Sequence, residues 1–226
     1  AQEDLRGILS TGYGRSNVPA AGGSRTEIAS HGRGAYFVFP RKITVVDIGG
    51  QDNKVIALAE DGRRISFKMN RKCAAGTGAF IEEIAHRLDV PLEELNDLAA
   101  SSTTDLTLNS FCTVFAATEI LARIRDGVGT ADLARAAFRS VVRRILESHR
   151  LSGEVVLTGG VVAHNPTVAA ILAERLGREV LVPPHAQFTG ALGAALGGMA
   201  GAPETKNDGG PKIPESNRGS SPESTD

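Results

Sequence analysis

Residues Ile43 to Phe80 read ITVVDIGGQDNKVIALAEDGRRISFKMNRKCAAGTGAF and contain the clearest strand and loop patterns of the chain. ITVVDI is an apolar, β-branched run with one acid, which predicts a buried strand that ends at Gly49-Gly50. Residues 54–70 predict two more strands, joined as a tight hairpin at Asp61-Gly62. A glycine-rich loop follows, and then a helix at about 76–88. Three strands, a loop and a helix in this order predict an α/β unit.

Helices and strands also alternate along the rest of the chain. Short strands are expected at 8–9, 154–158 and 179–184. Helices are expected at 26–36, from 91, from 112 to 125, at 130–150, at 166–176 and at 187–200. Asn165 is the expected N-cap of the helix that Pro166 opens. The last helix, QFTGALGAALGGMA, is rich in small residues, so it can pack its backbone closely against a neighbour.

Composition narrows the class of protein. The 226 residues carry a net charge of −1 and no Trp, which argues against a nucleic-acid partner. No apolar run is long enough to span a membrane, and no signal peptide is visible. The two cysteines do not make a disulfide framework, so we expect a reducing cytoplasm.

The two cysteines, Cys73 and Cys112, each stand just before a predicted helix. A cysteine there faces unpaired backbone N–H groups and the positive end of the helix dipole, which favours the thiolate. Two thiolates are too few for a closed four-sulfur site, so an iron–sulfur cluster of the usual kind would need a second copy of the chain. The alternative is a pair of small buried apolar residues, and the spacing alone favours that alternative.

Three glycine-rich turns are candidate anion sites. DIGGQDNK, from Asp47 to Lys54, places a carboxylate at a strand end, followed by two glycines, Gln51 and Asp52. Such a turn lets backbone N–H groups approach a phosphate, while the acids can hold Mg²⁺ or position an attacking water. The alternative is an ordinary exposed β-turn. CAAGTGAF (73–80) and TGGVVAHN (158–165) are the other two turns. The chain has no Walker A or GxGxxG pattern.

Six segments carry a family resemblance that covers nearly all of residues 7–198. In chain order they are TGYGRSNVP, VVDIGGQDNKVI, MNRKCAAGTGAF, CTVFAATE, VVLTGGVVAHNP and FTGALGAAL. The chain resembles the ATP-dependent activators of 2-hydroxyacyl-CoA dehydratases and the related ATPase subunits of benzoyl-CoA reductases. The resemblance implies the fold of actin, hexokinase and Hsp70, which is an α/β, actin-like ATPase (ribonuclease H-like) fold with two subdomains.

The resemblance also implies site residues. Cys73 and Cys112 of each chain would ligate one [4Fe–4S] cluster at the interface of a homodimer. Asp47 and Gln51 would be the catalytic residues for ATP and Mg²⁺. The remaining nucleotide-binding residues would be Gly49, Gly50, Gly76, Thr77, Gly78, Gly159, Gly160 and Asn165.

One motif of the family is absent. Family members begin with a strand–turn–strand of the form DxGSTxxK, whereas this chain opens on Ala1 in what reads as the middle of a domain. We therefore expect a first subdomain truncated at its N-terminus, with only part of the nucleotide site and slow ATP hydrolysis. The expected division is a remnant of the first subdomain (1–40), a second subdomain with both cysteines (41–184), a return helix (185–200) and a disordered tail (201–226).

The leading hypothesis for function follows from the resemblance. The chain would be an ATP-driven activator that passes a low-potential electron to a CoA-ester dehydratase or reductase. A ferredoxin or flavodoxin would supply that electron. The alternative is a non-hydrolysing iron–sulfur dimer or scaffold that remains from that family.

Overall fold

The structure is a computed structural model that describes residues 7–71, 73–108 and 112–199. The described strands form a parallel pair and a five-stranded sheet in the order β5-β4-β3-β6-β7. The strands are β1 (Leu9–Ser10), β2 (Gly23–Ser24), β3 (Ile43–Ile48), β4 (Asn53–Leu58), β5 (Arg64–Asn70), β6 (Glu154–Thr158) and β7 (Val180–Leu181). The helices are α1 (Glu27–Val38), α2 (Gly78–Leu88), α3 (Leu95–Ser101), α4 (Thr113–Arg125), α5 (Thr130–Ser148), α6 (Gly160–His164), α7 (Pro166–Leu176) and α8 (Thr189–Met199).

The stretch from Ile43 to Phe80 folds as the sequence predicts. β3 pairs antiparallel with β4, and β4 pairs antiparallel with β5 across the turn at Asp61-Gly62. β6 then adds to the other edge of β3 in parallel, and β7 adds in parallel to β6. The carboxyl ends of β3 and β6 therefore lie side by side, which is where α/β sheets hold ligands.

Helices cover both faces of the sheet, and this explains why every residue of β3 is buried. Side chains alternate between the faces along a strand. On one face, Ile43 and Val45 pack with Ile28 and Ala35 of α1. On the other face, Val46 and Ile48 pack in a larger core supplied by α2, α4, α5 and α7.

The sequence predicts that the small-residue helix α8 can pack closely against a neighbour, and in the structure that neighbour is α1. A Cβ atom on Gly193 would overlap the carbonyl oxygen of Ser30, and one on Gly34 would overlap the carbonyl oxygen of Thr189. The two helix backbones are therefore in direct contact, and this contact joins the first described helix to the last.

Some boundaries differ from the prediction. The helix expected from Pro91 begins as a single 3-10 turn, and α3 starts only at Leu95. α7 begins at Pro166 as expected, but the Asn165 side chain donates backward to the carbonyl oxygen of Val161, 2.9 Å away, instead of capping α7. That bond satisfies a carbonyl group in the short helix α6.

The predicted tail at 201–226 lies outside the described residues. The subdomain division at residue 40 stays a prediction. Across the described ranges, no helix has both the length and the apolar character that a membrane crossing requires.

Candidate functional site

The centre of the site is the Asp47 carboxylate at the carboxyl end of β3. Asp47 points to the face that α1 covers, and its side chain is only 4% exposed. Its Oδ1 atom accepts a hydrogen bond from the hydroxyl group of Thr158, 3.3 Å away at the end of β6. Its Oδ2 atom accepts one from Lys54 Nζ at 3.2 Å. Both oxygens of the predicted catalytic carboxylate are thus held from neighbouring strands.

Lys54 is a buried ammonium group that three carboxylates surround. The β3–β4 ladder sets it directly opposite Asp47. Its Nζ atom lies 2.6 Å from Asp52 Oδ1 and 3.5 Å from Glu27 Oε2. Burial lowers the pKa of Lys54, but Asp47, Glu27 and Asp52 together raise it above the ordinary value of 10.5. Lys54 is therefore charged at neutral pH, and the cluster holds more negative than positive charge.

His31 reaches the same carboxylate from α1. Its Nδ1 atom lies 3.1 Å from Thr158 Oγ1 and 3.4 Å from Asp47 Oδ1. His31 and Glu27 are four residues apart on α1, so they share one face of that helix. The ring is buried. α1 therefore contributes two polar side chains to the buried cluster.

The turn at 49–52 is bonded to the start of α2. The Gly49 N–H group donates to the carbonyl oxygen of Asp52 at 2.9 Å, which closes the turn. The N–H groups of Gly78 and Ala79 donate to the carbonyl oxygens of Gly49 and Gly50, at 2.9 and 2.7 Å. The N–H groups at the start of α2, which have no acceptor within the helix, therefore donate to the 49–52 turn. The two predicted anion turns thus form one connected unit.

The other predicted residues of this unit differ in exposure. Gly76, Thr77 and Gly78 are buried, and the Thr77 hydroxyl group donates to the carbonyl oxygen of Ala74 at 2.6 Å. Gln51 is exposed at the tip of the 49–52 turn, and Gly50 beside it is exposed as well. Among the nucleotide-site residues predicted in this unit, Gly50 and Gln51 are exposed, and Gly49 is half-buried.

The third glycine turn lies next to the first, at the end of β6. Gly159 has a φ of +100°, and a Cβ atom there would lie 2.7 Å from Asp47 Oδ1. Only glycine fits such a backbone at such a distance. Gly160 is half-buried, while Asn165 is buried and engaged with α6. The structure therefore brings Asp47, Gly49, Gly50 and Gly159 together at one edge of the sheet.

Both cysteines are free and accessible. Cys73 is half-buried in the loop before α2, and Cys112 is exposed as the N-cap residue of α4. This exposure argues against the alternative of two buried apolar residues. α2 and α4 pack against each other. Within the described ranges, no group of three or more His, Cys, Asp or Glu side chains is placed to hold a metal ion.

Sequence reasoning gave no role to Lys54, Thr158 or His31, although Lys54 and Thr158 lie within the predicted anion turns. Lys54 had a usable signal, because the short connection between β3 and β4 fixes a register that pairs it with Asp47. A lysine in an otherwise apolar buried strand needs a charged partner. His31 had no local signal, since only the packing of α1 on the sheet brings it to the carboxylate.

A buried carboxylate and glycine turns at the carboxyl ends of parallel strands define this chain as an α/β protein with a site of the nucleotide-binding kind. The chain belongs to the BadF/BadG/BcrA/BcrD ATPase family, whose sequence profile matches residues 1–198. The resemblance and the ATPase class predicted from the sequence are thereby confirmed.

Three relatives show the range of the family. The 2-hydroxyisocaproyl-CoA dehydratase activator of Clostridioides difficile is 37% identical over 211 residues, which cover 92% of this chain and 79% of that protein. The (R)-2-hydroxyglutaryl-CoA dehydratase activating ATPase of Acidaminococcus fermentans is 43% identical over 199 residues, with coverages of 86% and 76%. One of the subunits of the benzoyl-CoA reductase of Thauera aromatica is 28% identical over 203 residues, with coverages of 86% and 72%.

Two solved structures match the fold. The C. difficile activator with bound ADPNP superimposes with a TM-score of 0.81 and 38% identity, covering 87% of this chain and 74% of that one. The A. fermentans dehydratase component also gives a TM-score of 0.81, with 42% identity and coverages of 87% and 76%. The α/β, actin-like fold class predicted from the sequence is confirmed.

Proposed function

We propose that this protein is an ATP-driven activator of a CoA-ester dehydratase or reductase. The observation that carries the proposal is the pairing of a buried catalytic-type carboxylate, Asp47, with two accessible cysteines in a chain of this ATPase family. The C. difficile and A. fermentans relatives are named as a dehydratase activator and a dehydratase-activating ATPase. The partner enzyme would be a dehydratase or reductase component of this kind.

On the nucleotide side, Asp47 would position the attacking water or hold Mg²⁺ through water. Lys54 holds Asp47 in place, because its ammonium group donates a hydrogen bond to Asp47 Oδ2 at 3.2 Å. The exposed tip at Gly50 and Gln51 would face the phosphates. Phosphoryl transfer depends mainly on positioning and electrostatic stabilisation, so the rigid support from β4 and β6 suits this role. Gly76, Thr77, Gly78, Gly160 and Asn165 would shape the surrounding loops.

On the redox side, Cys73 and Cys112 are chemically suited to a [4Fe–4S] cluster. Thiolates are the ligands that such clusters use, and the cluster supplies one-electron transfer. Each chain offers two accessible thiols, so a complete set of four requires a homodimer. Exposed apolar residues of α4, Phe115, Leu121 and Ile124, lie beyond Cys112 and would contribute to such an interface. A ferredoxin or flavodoxin in the cytoplasm would deliver the electron.

The test of the redox side is iron content. The protein expressed from its whole reading frame and purified anaerobically should contain about four irons per dimer, and either Cys73→Ser or Cys112→Ser should abolish binding. Ala74→Ser is a matched control, because it adds the same residue type to the Cys73 loop and leaves both thiols. Full iron binding by one of the cysteine variants, or by a strict monomer, would refute the shared cluster.

The test of the nucleotide side is hydrolysis. Asp47→Asn should remove most of the ATPase activity and leave the iron content unchanged, because the carboxylate is separate from the thiol ligands. If the wild-type protein binds iron but does not hydrolyse ATP, the non-hydrolysing iron–sulfur dimer is the better description.

A further inference from the structure

We propose that His31 is a positioning residue for ATP hydrolysis, which holds the Asp47 carboxylate through the Thr158 hydroxyl group. This inference rests on the proposed role of Asp47 and adds a residue on α1 to the site. The imidazole of His31 lies against the buried cluster, although it is far from Asp47 in sequence.

The direction of the hydrogen bonds identifies the proton on His31. Both oxygens of Asp47 accept hydrogen bonds, so the single Thr158 hydroxyl proton is used in the bond to Asp47 Oδ1. Thr158 Oγ1 can then only accept from His31 Nδ1, which lies 3.1 Å away. The second neighbour of Nδ1, Asp47 Oδ1 at 3.4 Å, also accepts. Both contacts therefore require a proton on Nδ1.

Packing holds the ring in this position. The start of α8 covers its other edge, since a Cβ atom on Gly190 would lie only 2.8 Å from His31 Nε2. His31 is thus fixed between α8 on one side and the polar ends of β3 and β6 on the other.

The consequence concerns the geometry of Asp47. Lys54 holds the Oδ2 atom, while the chain from His31 through Thr158 holds Oδ1. A carboxylate that is fixed at both oxygens cannot rotate about its last torsion. Loss of one support should reduce the rate of the chemical step more than nucleotide binding, because small errors in position affect the transition state most.

The experiment compares His31→Leu with His31→Asn in the protein expressed from its whole reading frame. Leucine removes the donor, whereas the asparagine amide can donate from nearly the position of Nδ1. His31→Leu should lower kcat by about two- to tenfold, the range for losing one ordinary hydrogen bond, and leave KM for ATP within about twofold. His31→Asn should recover most of kcat. His86→Leu, the same change at an exposed histidine of α2, should leave kcat unchanged.

A second variant tests the route through Thr158. On a Thr158→Val background, His31→Leu should lower kcat little further, because the connecting hydroxyl group is already gone. Wild-type kcat in His31→Leu, equal losses in the Asn and Leu variants, or additive losses with Thr158→Val would each overturn the proposal. Asp47→Asn separates the two claims: if it hydrolyses ATP normally, the proposed role of Asp47 fails, whatever His31 does.

Discussion

Replacing Lys54 with methionine should destabilise the protein strongly. Its Nζ atom lies 3.2 Å from Asp47, 2.6 Å from Asp52 and 3.5 Å from Glu27, and its side chain is 1% exposed. Methionine has a similar length, so most of the packing remains while the positive charge disappears. Among the described residues, Asp47 would then keep the side-chain contacts with Thr158 and His31. The buried carboxylate that is left without a cation makes the largest single contribution to the loss in free energy of unfolding.

The size of the effect follows from that uncompensated charge. Breaking a buried ion pair by removing one partner costs about 3–5 kcal/mol, a large part of the roughly 5–15 kcal/mol that stabilises an ordinary domain. With a urea m-value of about 2 kcal/mol per molar, the unfolding midpoint should fall by roughly 2 M. The double variant Asp47→Asn/Lys54→Met should recover much of this loss, because it removes the buried charge along with its partner.

The assay is urea unfolding at pH 7, followed by circular dichroism. Arg63→Met is the matched control, since Arg63 pairs with Asp61 at 3.9 Å and both side chains are exposed. Exposed pairs contribute about 0–1 kcal/mol, so this midpoint should barely move. A Lys54→Met variant within about 1 kcal/mol of wild type would refute the reasoning, since that loss is far below the cost expected for a buried pair.

The same lysine predicts a loss of stability at alkaline pH. The folded state raises the pKa of Lys54 above 10.5, so it binds this proton more tightly than the unfolded state does. The contribution of Lys54 to the free energy of unfolding is complete below pH 10.5. It is lost as the pH rises through the folded-state pKa of Lys54. Lys54→Met should lack this part of the alkaline slope.

Two further predictions concern helix packing and acid stability. Gly193→Ala should lower the melting temperature by several degrees, because the added Cβ atom would overlap the Ser30 carbonyl oxygen. The control Gly14→Ala should leave the melting temperature unchanged, because a Cβ atom there meets no atom within 4 Å. Unchanged melting of the Gly193 variant would contradict the backbone contact. Burial, with the positive charges of Lys68 and Arg144, lowers the pKa of His149 below 6.5. The contribution of His149 to stability is therefore complete above pH 6.5 and is lost as the pH falls through the lower folded-state pKa. His149→Met should flatten this acid slope in unfolding measured from about pH 7.5 to 5, and an unaltered slope would contradict this assignment.

Local patterns predicted the parts of the fold that depend on neighbours in sequence. The β3–β4–β5 meander follows from β-branched runs and a turn of two residues, and the Asp47 carboxylate follows from its place at a strand end. The exposure of Cys112 could not be predicted this way. A cysteine before a helix looks the same in sequence whether the helix end is covered or open, and only the packed structure shows that this one is open.

The contacts that complete the buried cluster join residues that are far apart in sequence. Local sequence patterns therefore did not predict them. His31 and Thr158 approach each other only because α1 lies across the sheet, and α1 is held there partly by α8. No sequence pattern within one segment indicates a contact between residues so far apart in the chain. The anion site expected at the 73–80 turn shows the same limit. The sequence shows the glycines of this turn, but it does not show that the N–H groups of Gly78 and Ala79 donate to the 49–52 turn.

The contact between α1 and α8 also bears on how the protein is made. During translation α1 leaves the ribosome early, whereas the helix that covers its glycine face is the last one described. The nascent chain can therefore pair β3 with β4 and bury one side of the sheet while the edge of the His31 ring that faces α8 is still uncovered. Because α8 is made after the other described helices, closure of the buried charge cluster waits until Thr189–Met199 has left the ribosome.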